Sequence, residues 1–241
     1  MQQGEARVSI HGILFDKDGT LIDHQLTWVP AMEKALAALS DWTGEADLAP
    51  RYLEAAGQDA ALGRPRPGSL LSGGANDDLA ALWADMSGLA RPREVAERLV
   101  RIMEVRAADD PTPLFDVPAL VVALRQRDLV LGIATMDAEW VAESTLDGLG
   151  VREEVMFVAG YDSGFGIKPE PGMVHAFCHA ASLPPQNVMV VGDTQHDMMM
   201  ARNAGAGVAV GVRSGVGGGL DIADLADHLL DDARGILDLL D

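Results

Sequence analysis

From residue 114 onward, short apolar runs alternate with helical stretches, and that alternation restricts the chain to a narrow set of folds. Helical spacing of apolar residues marks 117–125, 138–149, 172–181 and 195–204, while the runs at 129–134, 155–158, 187–191 and 207–212 are strand-sized. Strands separated by helices argue for βαβ units, whose right-handed crossovers build a parallel sheet covered on both faces. An earlier apolar run, 8–15, adds a buried strand that ends in a tight turn at Asp16, Lys17, Asp18, Gly19 and Thr20. Residues 221–226, 228–230 and 233–240 complete this part as a short helix, an edge strand and a final helix.

Between the first strand and the later alternation the character changes. Ala, Leu, Met and Trp recur at three- and four-residue spacing through 28–39, 48–56, 76–86 and 93–107, which predicts four helices. They are broken by Gly44, by the 63–74 stretch with Pro65 and Pro67, and by 88–92, and no β-rich run interrupts them. Pro111 and Pro113 mark a linker, because proline cannot continue a helix and restricts the residue before it. The expected fold is therefore α/β: a Rossmann-like parallel sheet core, 1–23 and 112–241, with an inserted all-helical domain at 24–111.

Charge and cysteine content narrow the function. A formal net charge of −19 repels phosphate backbones and anionic lipid, so neither nucleic acid nor a membrane surface is an expected partner. No apolar stretch approaches the roughly 20 residues needed to span a bilayer. Cys178 is the only cysteine, and with no charged-then-apolar leader the expected location is cytoplasmic. The glycine-rich 215–219 stretch lacks the Lys and Ser/Thr of a nucleotide phosphate loop and reads as a turn.

In open parallel sheets, ligands sit beyond the carboxyl ends of the strands. Four such ends carry polar groups: Asp16 with Asp18, Thr135, Lys168 in the loop after 155–158, and Asp193 with Asp197. Asp16, Asp18 and Asp193 offer hard oxygen ligands suited to Mg²⁺. A carboxylate beside such a cation stays ionised and can act as a nucleophile, and a second one two residues away can serve as acid and base. Taken singly, each has an ordinary reading: Asp18 and Gly19 as a turn, Thr135 as a packing choice, Lys168 as a surface lysine. Only Lys17, Lys34 and Lys168 exist in this arginine-preferring chain, however, so a retained lysine carries information. Asp137 is read as the N-cap of the helix that follows, Met198, Met199 and Met200 as core, Cys178 as buried and inert, and His24 as polar surface, with a place facing the cleft as its alternative. Arg51, Arg64 and Arg66 are candidate cations for a substrate carboxylate or second phosphate.

In type, order and spacing these residues resemble the haloacid dehalogenase superfamily, in its phosphoglycolate phosphatase-like branch. Phe15 to Leu21 matches the first motif, DxDGT; Thr135 matches the second, Lys168 with Pro169 the third, and Gly192 to Asp197 the GDxxxD form of the fourth. The insertion lies where that branch carries a helical cap. The resemblance implies that Asp16 attacks phosphorus to form an aspartyl phosphate and that Asp18 protonates the leaving oxygen and then activates water. It implies that Thr135 and Lys168 hold the phosphoryl oxygens, that Asp16, the main-chain carbonyl of Asp18, and Asp193 bind Mg²⁺, and that Asp197 orients its neighbours. Gly19 and Met136 would touch substrate. The implied activity is Mg²⁺-dependent hydrolysis of a small phosphorylated metabolite, phosphoglycolate-like or a sugar phosphate; the alternative is intramolecular phosphoryl transfer like that of the β-phosphoglucomutases.

Overall fold

The computed structural model describes residues 9–62, 64–66, 69–73, 75–215, 218–219 and 221–240. Val8, Gly63, Pro67, Gly74, residues 216–217 and the Arg64 side chain, all within segments singled out above, lie outside what is described. The chain divides into two compact units, Met1–His24 with Pro111–Asp241, and Gln25–Asp110.

In chain order the elements begin with β1 (Gly12–Phe15), α1 (His24–Thr43), α2 (Ala49–Ala56), β2 (Gln58–Asp59), β3 (Arg64–Pro65), α3 (Leu70–Gly73), α4 (Asn76–Ser87) and α5 (Pro92–Asp109). They continue with α6 (Val117–Arg125), β4 (Val130–Ala134), α7 (Glu139–Gly148), β5 (Phe157–Ala159), α8 (Gly172–Ala181), β6 (Val188–Gly192), α9 (Gln195–Ala204), β7 (Val208–Val212), β8 (His228–Leu230) and α10 (Ile236–Leu239).

The first unit is built on a six-stranded sheet in the order β5-β4-β1-β6-β7-β8, every neighbouring pair parallel. Successive side chains of a strand point to opposite faces. Ile13, Phe15, Leu131, Ile133, Met189 and Val191 accordingly join one apolar layer, whereas Leu14, Ala134, Val188 and Val190 join the layer behind. Because both faces are covered, the strands read as continuous apolar runs rather than as alternating ones. After β1 the chain builds β4 and β5 on one side, then crosses to build β6, β7 and β8 on the other. The carboxyl end of β1 is therefore the switch point at which such sheets leave a crevice.

The second unit packs its helices around Trp83, Tyr52, Leu36, Leu39 and Leu99, all essentially without exposure. The Trp83 indole N–H donates to the Tyr52 carbonyl at 3.1 Å, so the largest buried ring carries no unmet donor. Alongside the predicted helices the unit holds α3 and a two-residue antiparallel pair, β2 with β3, which apolar spacing could not reveal. Its pairing residues are mostly polar, and the turn is tied by Asp59 Oδ1 accepting from the Ala61 and Leu62 amides.

Three local expectations in the first unit are corrected. Residues 221–226 form hydrogen-bonded turns, with the Leu225 and Ala226 amides both donating to the Ile222 carbonyl, because six residues rich in Asp cannot offset helix nucleation. The final helix is reduced to a 3₁₀ turn at Ala233–Gly235 followed by α10. The third core strand starts at Phe157 rather than 155; Val155 is buried after a 3₁₀ turn at Arg152–Glu154 without joining the ladder. Met198 and Met200 are buried while Met199 is exposed, as one face of a helix requires. Among the described residues no helix is long and apolar enough to cross a membrane.

Candidate active site

The sheet register brings the polar strand ends together. Phe15 pairs with Ile133 on one side and Val191 on the other, so Asp16, Thr135 and Asp193 follow three adjacent strands at the same edge. Lys168 reaches this edge from the loop between β5 and α8. Its ammonium donates to Asp16 Oδ1 at 2.5 Å and to Asp197 Oδ1 at 2.6 Å, and all three side chains are almost entirely buried.

Asp197 is held by its own helix. Thr194 caps α9 by accepting from the Asp197 amide, while Asp197 Oδ2 accepts from the Thr194 amide at 3.0 Å and its hydroxyl at 2.6 Å. This reciprocal capping box occupies one carboxylate oxygen, and Lys168 occupies the other. Asp197 thus fixes the lysine through one oxygen while its own helix holds the other.

Asp193 is different. It is buried, its Oδ1 has no hydrogen-bond partner, and it lies with Asp16 and Asp197 in a group whose carboxylate oxygens fall within 4.8 Å of one another. Burial raises the Asp193 carboxyl well above its usual value, with Asp16 and Asp197 adding to the effect. Burial likewise pushes Asp16 up to about 7, against the pull of Lys168 and reinforced by Asp197 and Asp18. Three carboxylates face one ammonium here. An orphaned buried oxygen and an excess of hard, negative donors are what a divalent cation such as Mg²⁺ would satisfy, so these residues fit that ion.

A second lysine organises the other motif aspartate. Lys17 Nζ lies 2.5 Å from Asp18 Oδ2 and 2.7 Å from Asp137 Oδ2, with its side chain only 2% exposed. Burial alone would raise the Asp18 carboxyl, but the charges of Lys17 and His24 and hydrogen bonds with Lys17 and Asp137 together outweigh it and lower the group to about 2. Asp137 is pushed up to about 8 by burial and by the charge of Asp18. Lys17, squeezed by burial but flanked by two carboxylates, is raised above its ordinary value. A phosphate dianion placed beside Asp18 would raise its carboxyl in turn, because like charge disfavours ionisation.

Asp137 therefore does not cap α7. The N-cap position is Ala138 with no side-chain cap, and the carboxylate is turned to Lys17. The Asp137 amide donates to Thr135 Oγ1 at 3.1 Å, which links the two strand-end residues. His24 is not polar surface: burial lowers its pKa, its Nδ1 is buried without a hydrogen-bond partner, and the charge of Asp18 acts on it. Met136 is exposed at the edge beside Thr135. Gly19 takes a positive φ of 80° and lets Asp193 approach: a Cβ there would stand 2.5 Å from Asp193 Oδ2. Lys17 and Asp137 were not among the expected site residues; the scarcity of lysine was the one signal in the sequence that pointed to Lys17.

Gly192 offers a direct test of how tightly Asp197 is placed. A Cβ at this position would lie 2.4 Å from both Cβ and Cγ of Asp197. Gly192→Ala is expected to cost about 1–3 kcal/mol in urea unfolding through overpacking. It is also expected to slow turnover by at least tenfold as Asp197 and Lys168 shift.

Comparison with known proteins agrees with this architecture. A family model for haloacid dehalogenase-like hydrolases matches residues 10–205. A phosphoglycolate phosphatase of Rhodospirillum rubrum is 30% identical over 206 residues, covering 82% of this chain and 78% of that protein. An N-acetylmuramic acid 6-phosphate phosphatase of Pseudomonas aeruginosa is 25% identical over 237 residues, 98% of this chain and 96% of that one. The crystal structure of a predicted phosphoglycolate phosphatase from Haemophilus somnus shares the fold, with a TM-score of 0.72 at 19% identity, covering 98% of this chain and all of that one.

Proposed function

Because the chain belongs to the haloacid dehalogenase-like hydrolases, in their phosphoglycolate phosphatase-like branch, we propose that it is a cytoplasmic, Mg²⁺-dependent phosphatase of a small phosphorylated metabolite. The observation that carries this reading is the buried Lys168 ammonium shared by Asp16 and Asp197 beside the unpartnered Asp193 oxygen.

Asp16 attacks phosphorus, and the bond to the leaving oxygen breaks as Asp18 delivers a proton to it. The products of this step are the alcohol and an aspartyl phosphate. Asp18, now ionised, takes a proton from water, which attacks the aspartyl phosphate and releases inorganic phosphate. Thr135 and Lys168 hold the phosphoryl oxygens, and Gly19 and Met136 line the substrate. Asp16, Asp193 and the main-chain carbonyl of Asp18 would hold Mg²⁺, which supplies positive charge against the phosphoryl oxygens. Fixed charge of this kind is the main source of rate in phosphoryl transfer. The helical insertion, 24–111, is assigned the selection of substrate.

The test is a screen of phosphoglycolate, N-acetylmuramic acid 6-phosphate and sugar phosphates with Mg²⁺ or with EDTA, reading free phosphate. Release with Mg²⁺ that is lost in EDTA and restored by added Mg²⁺ is expected. Isomerised hexose phosphate without free phosphate, in the presence of a bisphosphate, would show the mutase instead.

A further inference from the structure

The two motif aspartates are each paired with a lysine, and each lysine is also paired with a second aspartate. Lys168 stands between Asp16 and Asp197, and Lys17 between Asp18 and Asp137. Two of the three lysines in the chain are spent on this arrangement. The first trio lies within the four motifs. The second does not: Lys17 fills the unspecified position between the motif aspartates, and Asp137 lies two residues beyond the second motif.

Burying such a trio is costly, since desolvation of charged groups commonly equals or exceeds what their attraction returns. Its anchoring is rigid on both sides. The Lys17 carbonyl accepts from the Leu21 amide at 2.8 Å and the Ile22 amide at 3.1 Å, which fixes the base of the lysine in its turn. Asp137 is fixed through its amide on Thr135 Oγ1 and its carbonyl, which accepts from the Tyr161 amide at 3.0 Å. A lysine so mounted can hold a neighbouring carboxylate in one rotamer.

The geometry points to Lys17 and Asp137 as positioning residues that hold the Asp18 carboxylate where it can reach the leaving oxygen. This inference rests on the reading of Asp18 as the acid and base, and it assigns a function to two residues outside the family motifs. Neither residue touches the reacting atoms; both act through Asp18.

Proton donation matters only when the leaving group needs a proton, so leaving-group dependence separates positioning from general damage. The probes are phenyl phosphate, whose phenolate is a poor leaving group, and 2,4-dinitrophenyl phosphate, whose phenolate departs unaided. The measure is kcat/KM, which reports steps up to departure of the leaving group. Asp18→Asn defines the full split. Lys17→Met, which preserves length, and the charge-balanced pair Lys17→Met with Asp137→Asn are expected to lose about 10- to 1,000-fold on phenyl phosphate and less than about threefold on 2,4-dinitrophenyl phosphate. In the Asp18→Asn background Lys17→Met should add no further loss on phenyl phosphate, since the two act as one unit. Equal losses on both probes, or no loss on either, would overturn the inference while leaving the role of Asp18 intact. An Asp18→Asn variant that shows no split would overturn that role and the inference with it. The charge-balanced pair keeps the test valid if Lys17→Met alone fails to fold, because it leaves no carboxylate at 137 to be stranded.

Discussion

Asp16→Asn is expected to reduce phosphate release by about 10⁴-fold or more, in line with loss of a nucleophile from a group that acts as a unit. The fold should not suffer. Asn preserves shape, Lys168 keeps Asp197 as a partner, and one of three crowded carboxylates is removed. The sign of the pH effect follows from burial. In the folded protein the Asp16 carboxyl rises from its usual 3.8 to about 7, so the native state binds that proton more tightly than the unfolded chain. The resulting contribution to stability is fully present below about pH 4, declines as pH rises through about 7, and is absent above it. Asp16→Asn abolishes this dependence. With EDTA present, its thermal midpoint should therefore be no lower than that of the unchanged protein at pH 8, and the comparison should shift in the variant's favour between pH 5 and pH 8. Turnover near the unchanged level would remove Asp16 from the nucleophile's place.

Lys168→Met is expected to have the largest effect on stability. The substitution strands Asp197, which is 1% exposed, and leaves Asp16 and Asp193 facing each other without the ammonium. Breaking a buried ion pair by deleting one partner typically costs about 3–5 kcal/mol, because the surviving charge has no compensation. Urea unfolding at pH 8 should show a loss of that order. Phosphate release should fall by about 10²- to 10³-fold, the usual consequence of losing one fixed charge at a transferring group. Combining Lys168→Met with Asp197→Asn should recover much of the stability and none of the activity. A single variant as stable as the unchanged protein would mean that Lys168 does not carry the charge balance of the cluster.

The catalytic candidates were legible in the sequence because each follows an apolar run, and a parallel sheet delivers all such positions to one edge. Asp16, Thr135 and Asp193 needed only the strands to be recognised. Asp137 was misread because its local context, a polar residue before a helix, is the context of an N-cap; its true partner, Lys17, lies 120 positions earlier in the turn after β1. Lys17 was hidden by its own motif, where the residue between the aspartates is unspecified. The β2 with β3 pair escaped because its register is carried by polar residues and a side-chain turn. Residues 221–226 misled in the opposite direction, since helical spacing over six residues is too short to decide between a helix and successive turns. Local chemistry was readable wherever it agreed with long-range pairing, and failed where a distant charge claimed the side chain.

The central place of β1 also has a consequence for how the protein is made. Residues 12–15 leave the ribosome well before their partners, 130–133 and 188–191. At about 5–20 residues per second, roughly 10–40 s separate the emergence of β1 from that of β6. During that interval a strand apolar on both faces has no sheet to enter, while Gln25–Asp110, with an apolar core of its own, is already complete. Until β6 emerges, the nascent chain therefore carries an unpaired apolar strand open to chaperones. A product terminated before β6 would lack both the strand that flanks β1 on its second side and the carboxylates of Asp193 and Asp197.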